Sequence, residues 1–301
     1  MQLLATPGEM RAWSRAERAQ GSRGGGGGRI GFVPTMGFLH EGHLRLVDRA
    51  REVADRVVLS IFVNPLQFGP REDFASYPRD VQRDRKLASD RGVDCLFLPS
   101  AEAMYPSEPL VRVQAGSMAD TLEGAARPGH FSGVLTVVAK LLHIVEPDVA
   151  VFGRKDFQQA MLVRRMTSDL DFACDIEIVP TVRELDGLAL SSRNVYLKGD
   201  DRRAALALSR ALRAVEQAWR GGEADPRALE HRGMEVLQVP GVTPEYFKLV
   251  DAQIRPVGRV DAKTIAVVAA RVGPAGTRLI DNVVLGEGIA NDVPVRSTVK
   301  D

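Results

Sequence analysis

The sequence predicts an α/β architecture: a parallel sheet covered by helices on both faces, followed by a smaller α+β domain. Short apolar runs alternate with amphipathic, helix-length segments through the first part of the chain, as in buried strands joined by crossover helices. Beyond Pro180 this alternation gives way to a pair of helices and then strands without long connections between the last two. A chain of 301 residues also exceeds the usual size of one compact unit. The change of character between Thr181 and Asp186 puts the expected boundary between residues 184 and 185, giving domains 1–184 and 185–301.

The elements follow from local pattern. Ile30 to Val33, Val57 to Val63, Cys95 to Leu98 and Val149 to Phe152 read as doubly buried strands. Leu44 to Ala54, Val81 to Arg91 and Val134 to Val145 carry apolar residues at three- and four-residue spacings and read as crossover helices. In the second domain, Arg202 to Arg220 and Pro226 to Leu237 read as helices. Tyr246 to Val250, Thr264 to Ala269 and Leu279 to Leu285 read as strands. Right-handed crossovers gather the strand C-terminal ends along one edge, where ligands of such sheets bind. The glycine run Gly24 to Gly28 precedes a strand instead of following one and lacks a Lys-Ser/Thr ending. It therefore reads as a surface connection and not a phosphate loop. The tail after Gly286 is polar and is expected to be loosely ordered.

Composition excludes several classes. Forty basic residues against thirty-nine acidic ones leave a formal charge of +1, so no basic footprint for nucleic acid is present. Apolar runs are broken by charges well before the roughly 18 residues of a membrane span, and the start of the chain cannot build a signal-peptide core. Cys95 and Cys174 lie far apart in apolar, strand-like surroundings and read as buried thiols. The expectation is a soluble, cytoplasmic protein.

The chemistry is expected at strand ends. His40-Glu41-Gly42-His43 follows the first strand and the turn Pro34-Thr35-Met36-Gly37. Two imidazoles at a helix start, beside its unpaired N–H groups, suit a phosphate. Gly37 and Gly42 let a nucleotide approach the backbone. A polar first turn is the alternative; a zinc site is disfavoured, because the spacing is not that of a zinc-protease helix. Asn64-Pro65-Leu66-Gln67 follows the second strand, either as carboxamides for a small hydroxy acid or as an Asn-Pro turn with Gln67 exposed. Gly153-Arg154-Lys155-Asp156, with Gln158 and Gln159 beyond it, repeats the anion-binding layout and puts Lys155 within reach of a phosphoryl oxygen. Ser191-Ser192-Arg193-Asn194, past the boundary, offers hydroxyls and a guanidinium for a triphosphate.

These segments resemble the signatures of the pantoate-β-alanine ligase (pantothenate synthetase) family. The match runs from Pro34-Thr35-Met36-Gly37 and Leu39 to His43, through Ser60 to Gly69, Arg127-Pro128-Gly129-His130-Phe131, Gly153 to Gln159 and Ser191 to Asn194, to Arg278-Leu279-Ile280-Asp281-Asn282. The resemblance implies a cytoplasmic homodimer with a Rossmann-like N-terminal domain that binds nucleotide and pantoate and a smaller domain that closes over the ATP site. It implies Mg²⁺-requiring, ATP-dependent condensation of pantoate with β-alanine through pantoyl adenylate, with AMP and pyrophosphate released. By matching positions, Met36, Gly37, Phe38, Leu39, His40, Glu41, Gly42 and His43 border ATP, His43 being the proton donor and His40 its partner at the phosphates. Gly153, Arg154, Lys155 and Asp156 contact nucleotide, and Val182, Leu190, Ser191, Ser192 and Arg193 complete that site. His40, His43, Lys155 and Arg193 are the expected catalytic groups; Gln67 and Gln159 hold pantoate; no metal ligands are assigned. Arg154, Phe157, Leu190 and Phe38 depart from the usual pattern, where Glu or Gln, Tyr, Met and a smaller residue are common. The rivals are another adenylyl-transferring enzyme and a nucleotide-binding regulator without turnover.

Overall fold

A computed structural model describes residues 1–23, 28–70, 72–289 and 293–295. Most of the glycine run and most of the polar tail lie outside the described residues. The chain divides into two compact units. The first comprises Met1–Leu39, His43–Gly153 and Gln158–Val179, and the second His40–Gly42, Arg154–Phe157 and the chain from Pro180 onward.

The first unit is built on a six-stranded sheet. Its elements are β1 (Gln2–Leu4), α1 (Pro7–Arg23), β2 (Ile30–Thr35), α2 (Glu41–Val53, whose first two residues belong to the second unit), β3 (Arg56–Ile61), α3 (Val81–Asp90) and β4 (Cys95–Phe97). Two short helices, α4 (Ala101–Met104) and α5 (Glu123–Ala126), precede α6 (His130–Val145), β5 (Val149–Gly153), α7 (Phe157–Asp169, whose first residue belongs to the second unit) and β6 (Asp175–Val179). The strand order is β1-β4-β3-β2-β5-β6, and every pairing is parallel. Ile30, Phe32 and Val33 of the central β2 are fully buried, as continuous apolar runs in a doubly covered sheet should be. Edge strand β6, Asp-Ile-Glu-Ile-Val, alternates polar and apolar residues and remains partly exposed. Val33, Val47, Ala50, Leu59, Leu96 and Val151 form one core of this unit, where α2 covers the sheet.

Strand order reverses between β2 and its neighbour β5, with Gly31 opposite Val149 and Phe32 opposite Ala150. The crevice outside the C-terminal ends of two such strands is the binding point of open α/β sheets. The segments leaving those ends start at Met36 and Arg154.

The second unit holds β7 (Val182–Glu184), α8 (Gly199–Ala205), α9 (Ala207–Arg220), α10 (Pro226–Val236), β8 (Val242–Val250), β9 (Ile265–Val272), β10 (Thr277–Val284) and β11 (Val293–Val295). β8, β9 and β10 form an antiparallel sheet with β9 in the middle, and β7 pairs with β11 in parallel. The helix expected from Arg202 to Arg220 is two helices, interrupted at Leu206. That residue keeps right-handed helical dihedrals (φ −63°, ψ −13°), so the apolar period runs across the break. Asp225 caps α10 by accepting from the Arg227 N–H, and Pro226 occupies its first turn. Leu208, Leu212, Leu229, Phe247, Val268 and Val283 form the core of this unit. Among the described residues no helix is long and apolar enough to cross a membrane. Both cysteines are free thiols, Cys95 buried but Cys174 only partly so, because it lies in the connection ahead of edge strand β6.

Candidate active site

The segment after β2 is fixed from beneath by a carboxylate. Thr35 donates to the Ser60 carbonyl at 2.7 Å and accepts from the Gly37 N–H at 3.1 Å. The chain then takes positive φ at Gly37 (+84°) and at Phe38 (+49°), a conformation uncommon for a side chain as large as Phe. Asp84 of α3 is buried and accepts from the Phe38 and Leu39 N–H groups at 2.6 and 2.7 Å. The Arg83 guanidinium lies 5.4 Å above the Phe38 ring. Burial pushes the Asp84 carboxyl above its ordinary value, opposed by the two amides it accepts from.

α2 begins at Glu41, so His40 stands immediately before the helix and His43 in its first turn. The Gly42 N–H donates to His40 Nδ1 at 3.1 Å, so the neutral ring carries its proton on Nε2. A Cβ at Gly42 would fall 2.8 Å from that ring, so only glycine lets the imidazole fold back onto the backbone. The next atom it would meet is the Leu190 Cβ, at 3.8 Å. Glu41, Gly42 and His43 are half-buried, as are Met36, Phe38 and His40, whereas Gly37 and Leu39 are buried.

After β3 the chain makes a 3-10 turn, Pro65–Gln67, capped by Asn64, whose carboxamide oxygen accepts from the Leu66 N–H. The same oxygen accepts from the Tyr105 hydroxyl at 3.0 Å. The amide nitrogen donates to Gln67 Oε1 and to the Gly133 carbonyl, both at 3.1 Å. Asn64 thus builds the Asn-Pro turn and orients the Gln67 side chain, whose nitrogen contacts Met36 Sδ at 3.2 Å. Gln67 is half-buried, not a freely exposed turn residue. Its backbone is held as well: the carbonyl lies 2.9 Å from His130 Nδ1, and His130 Nε2 lies 2.9 Å from Arg127 Nη1. Arg127 is clamped bidentately by Glu72 at 2.6 and 2.7 Å, which holds the Glu72 carboxyl down at about 2. Gly133 packs so closely that an added Cβ would sit 2.2 Å from the Leu66 carbonyl oxygen and 2.7 Å from Gln67 Cα.

Gly153 ends β5, and Arg154–Asp156 form a 3-10 turn leading into α7. The Lys155 ammonium is 3.8 Å from an Asp156 carboxylate oxygen, with the lysine side chain four-fifths buried and Asp156 exposed. Arg154 is buried and paired with Glu287, so its extra positive charge is engaged within the protein. Gln158 is structural. It accepts from the Glu123 N–H and donates to the Met118 and Thr121 carbonyls, tying down the segment before α6. Gln159, one residue on, is half-buried.

In the second unit, Leu190 donates to the Val182 carbonyl at 2.9 Å, and Arg183 bridges Ala189. Val182 and Leu190 are therefore paired across a short hairpin. Ser191 caps the 3-10 helix Ser192–Tyr196 by accepting from the Arg193 N–H at 3.3 Å. Ser192 is buried, while Ser191 and Arg193 are half-buried. The segments His40–Gly42, Arg154–Asp156 and Val182–Arg193 all belong to the second unit; Met36 to Leu39, His43, Gln67, Gly153 and Gln159 belong to the first. Among the described residues no three His, Cys, Asp or Glu side chains gather as a metal site.

Residues 2–284 match the family model described as pantoate-beta-alanine ligase. The chain belongs to this ligase family. A pantothenate synthetase of Heliobacterium modesticaldum is 51% identical over 287 residues, covering 95% of this chain and 99% of the relative. The crystal structure of pantothenate synthetase from Thermus thermophilus superposes with a TM-score of 0.88 at 46% identity, covering 95% and 99% of the two chains. That of the Francisella tularensis pantoate-beta-alanine ligase, described as complexed with beta-gamma ATP and beta-alanine, superposes at 0.78 with 33% identity over 96% of this chain and 99% of that one. An α/β ligase with a parallel sheet and a small antiparallel one is therefore the correct reading of the fold and of the enzyme class.

Sequence alone gives no specific role to Asp84, His130, Arg127 or Glu72. His130 and Arg127 lie within the Arg127-to-Phe131 signature, which is the available signal. Asp84 sits in an ordinary helix and Glu72 in a polar connection, and nothing in their spacing marks them.

Proposed function

We propose that this protein condenses pantoate with β-alanine at the expense of ATP, giving pantothenate, AMP and pyrophosphate. The observation that carries this is the family match over residues 2–284, nearly the whole chain. The strand-end segments supply groups suited to each step. In the first, a pantoate carboxylate oxygen attacks the α-phosphorus of ATP. The bond to the bridging oxygen breaks and pyrophosphate leaves, giving pantoyl adenylate. Gln67 and Gln159 hold pantoate. His40 through its Nε2–H, His43, Lys155 and Arg193 meet the charge that develops on the phosphates. Backbone of Met36 to His43, Gly153 to Asp156, Val182 and Leu190 to Ser192 borders the nucleotide.

In the second step the free amine of β-alanine attacks the acyl carbon, the carbon–oxygen bond to AMP breaks, and the ammonium proton is lost. Exclusion of water protects the mixed anhydride until then. Mg²⁺ belongs to the proposal as a companion of the triphosphate, the usual way this ion is carried when a protein offers no cage of its own; it neutralises phosphate charge. The family's homodimeric assembly and cytoplasmic location are included on the same resemblance.

The test is product analysis. Incubation with ATP, Mg²⁺, pantoate and β-alanine should yield pantothenate and AMP in equal amounts, each dependent on both acids. Release of ADP, or an adenylylated product that β-alanine does not discharge, would refute the assignment.

A further inference from the structure

The Arg278 to Asn282 signature has no part in the chemistry above, yet its last two residues are among the most deeply buried polar groups of the second unit, Asp281 at 4% and Asn282 at 2% exposure. Asn282 spends both hydrogens of its side-chain nitrogen on consecutive carbonyls of the turn after β5, those of Arg154 and Lys155, each at 2.9 Å. Carbonyls only accept, so the nitrogen must face them. Its Oδ1 is left buried with no hydrogen-bond partner. An apolar residue would avoid that penalty, so the carboxamide is explained by its grip on the turn.

Asp281 is seated by Arg183 through two bonds of 2.6 and 2.8 Å, and the same guanidinium donates to the Gly187 and Asn282 carbonyls. Arg183 adjoins Val182 in the hairpin that ends at Leu190. One dipeptide of β10 thus holds two separate stretches of the second unit: Asn282 the turn that bears Lys155, and Asp281 the hairpin that leads to Ser191 and Arg193.

We propose that Asn282 is the positioning residue for Lys155 in adenylate formation, fixing the carbonyls on either side of the Lys155 Cα and with them the direction in which its side chain leaves the backbone. The inference rests on the ligase reading. A lysine carries four flexible methylenes, so its ammonium is placed only if its Cα is, and ångström-scale misplacement of a transition-state group costs up to about a hundredfold in rate.

The experiment measures pantoate-dependent exchange of pyrophosphate into ATP by the full chain, in Asn282→Ala, Lys155→Ala and the double variant, each checked for folding by thermal melting. Asn282→Ala should lower the exchange rate at least about tenfold with the pantoate KM within about twofold of wild type, and should cause no further loss in the Lys155→Ala background. An exchange rate within about twofold of wild type, or an equal fractional loss in both backgrounds, would overturn the proposal. Should Asn282→Ala fail to fold, Asn282→Ser, which keeps one donor, carries the same comparison. Active wild type with a failed prediction sinks this inference alone, and wild type without any exchange sinks the ligase reading with it.

Discussion

His130 donates through Nδ1 to the backbone carbonyl of Gln67 at 2.9 Å, placing a buried imidazole directly behind the residue assigned to pantoate. The carbonyl cannot donate, and Arg127 Nη1 on the other ring nitrogen cannot accept, so the ring is neutral with its proton on Nδ1.

Burial first, and the Arg127 charge second, push the His130 imidazolium down to about 4 from an ordinary 6.5. Between those values the unfolded chain binds a proton that the folded chain refuses. Stability is therefore full above pH 6.5 and declines as pH falls toward 4. At pH 5 the loss from this one group is roughly 2 kcal/mol. Glu72, held down at about 2, adds its own acid loss only below about 4.5. Urea unfolding of wild type and His130→Asn at pH 7 and pH 5 checks this, since asparagine keeps a donor for Gln67 without titrating. Equal losses in the two proteins would show that His130 is not the source.

Gly133→Ala should damage substrate binding from a distance. The new Cβ would overlap the Leu66 carbonyl and crowd Gln67 Cα, and the backbone must move to admit it. A stability loss of about 1–3 kcal/mol and a raised pantoate KM are expected, read by thermal unfolding and steady-state kinetics. A variant with wild-type KM would mean that Gln67 need not be held where it is.

Gln67→Ala removes the proposed ground-state contact to pantoate and should chiefly weaken its binding. Pantoate affinity equal to wild type, by calorimetry or kinetics, would remove Gln67 from the proposal.

His43→Ala and Lys155→Ala should each lower the adenylation rate at least about a hundredfold, the scale of losing a preorganised transition-state donor. Near-normal pyrophosphate release from either folded variant in rapid-quench assays would refute its role.

Asp84→Ala should act without touching substrate. It leaves the Phe38 and Leu39 N–H groups without their acceptor, a cost of roughly 1–3 kcal/mol for each group that stays buried, and releases a backbone already held at positive φ at Phe38. Lower thermal stability together with slower adenylation is expected. Loss of stability alone would confine Asp84 to folding.

Strands β2 to β5 of the large sheet were legible because doubly buried parallel strands leave unbroken apolar runs, as at Ile30 and Val149. β1, β7 and β11, three residues each, are interrupted by Gln2, by Arg183 and Glu184 and by Pro294 and so carry no such run, unlike the equally short β4. Met36 to Leu39, Asn64 to Gln67 and Gly153 were placeable because they follow or end β2, β3 and β5, parallel strands of one sheet. What supports those motifs was hidden. Asp84 reaches back 46 residues to Phe38, and Asn282 reaches back 127 to Lys155. Such contacts exist only once the chain has folded, and residue spacing carries no trace of them.

In the proposed reaction ATP activates the pantoate carboxylate before any amine is present. Incubating the protein with ATP, Mg²⁺ and pantoate, withholding β-alanine, and analysing the quenched mixture by mass spectrometry tests it directly. Pantoyl adenylate should appear with one pyrophosphate per adenylate and vanish into pantothenate when β-alanine is added. No adenylate, with pantothenate forming all the same once β-alanine enters, would exclude the adenylate route.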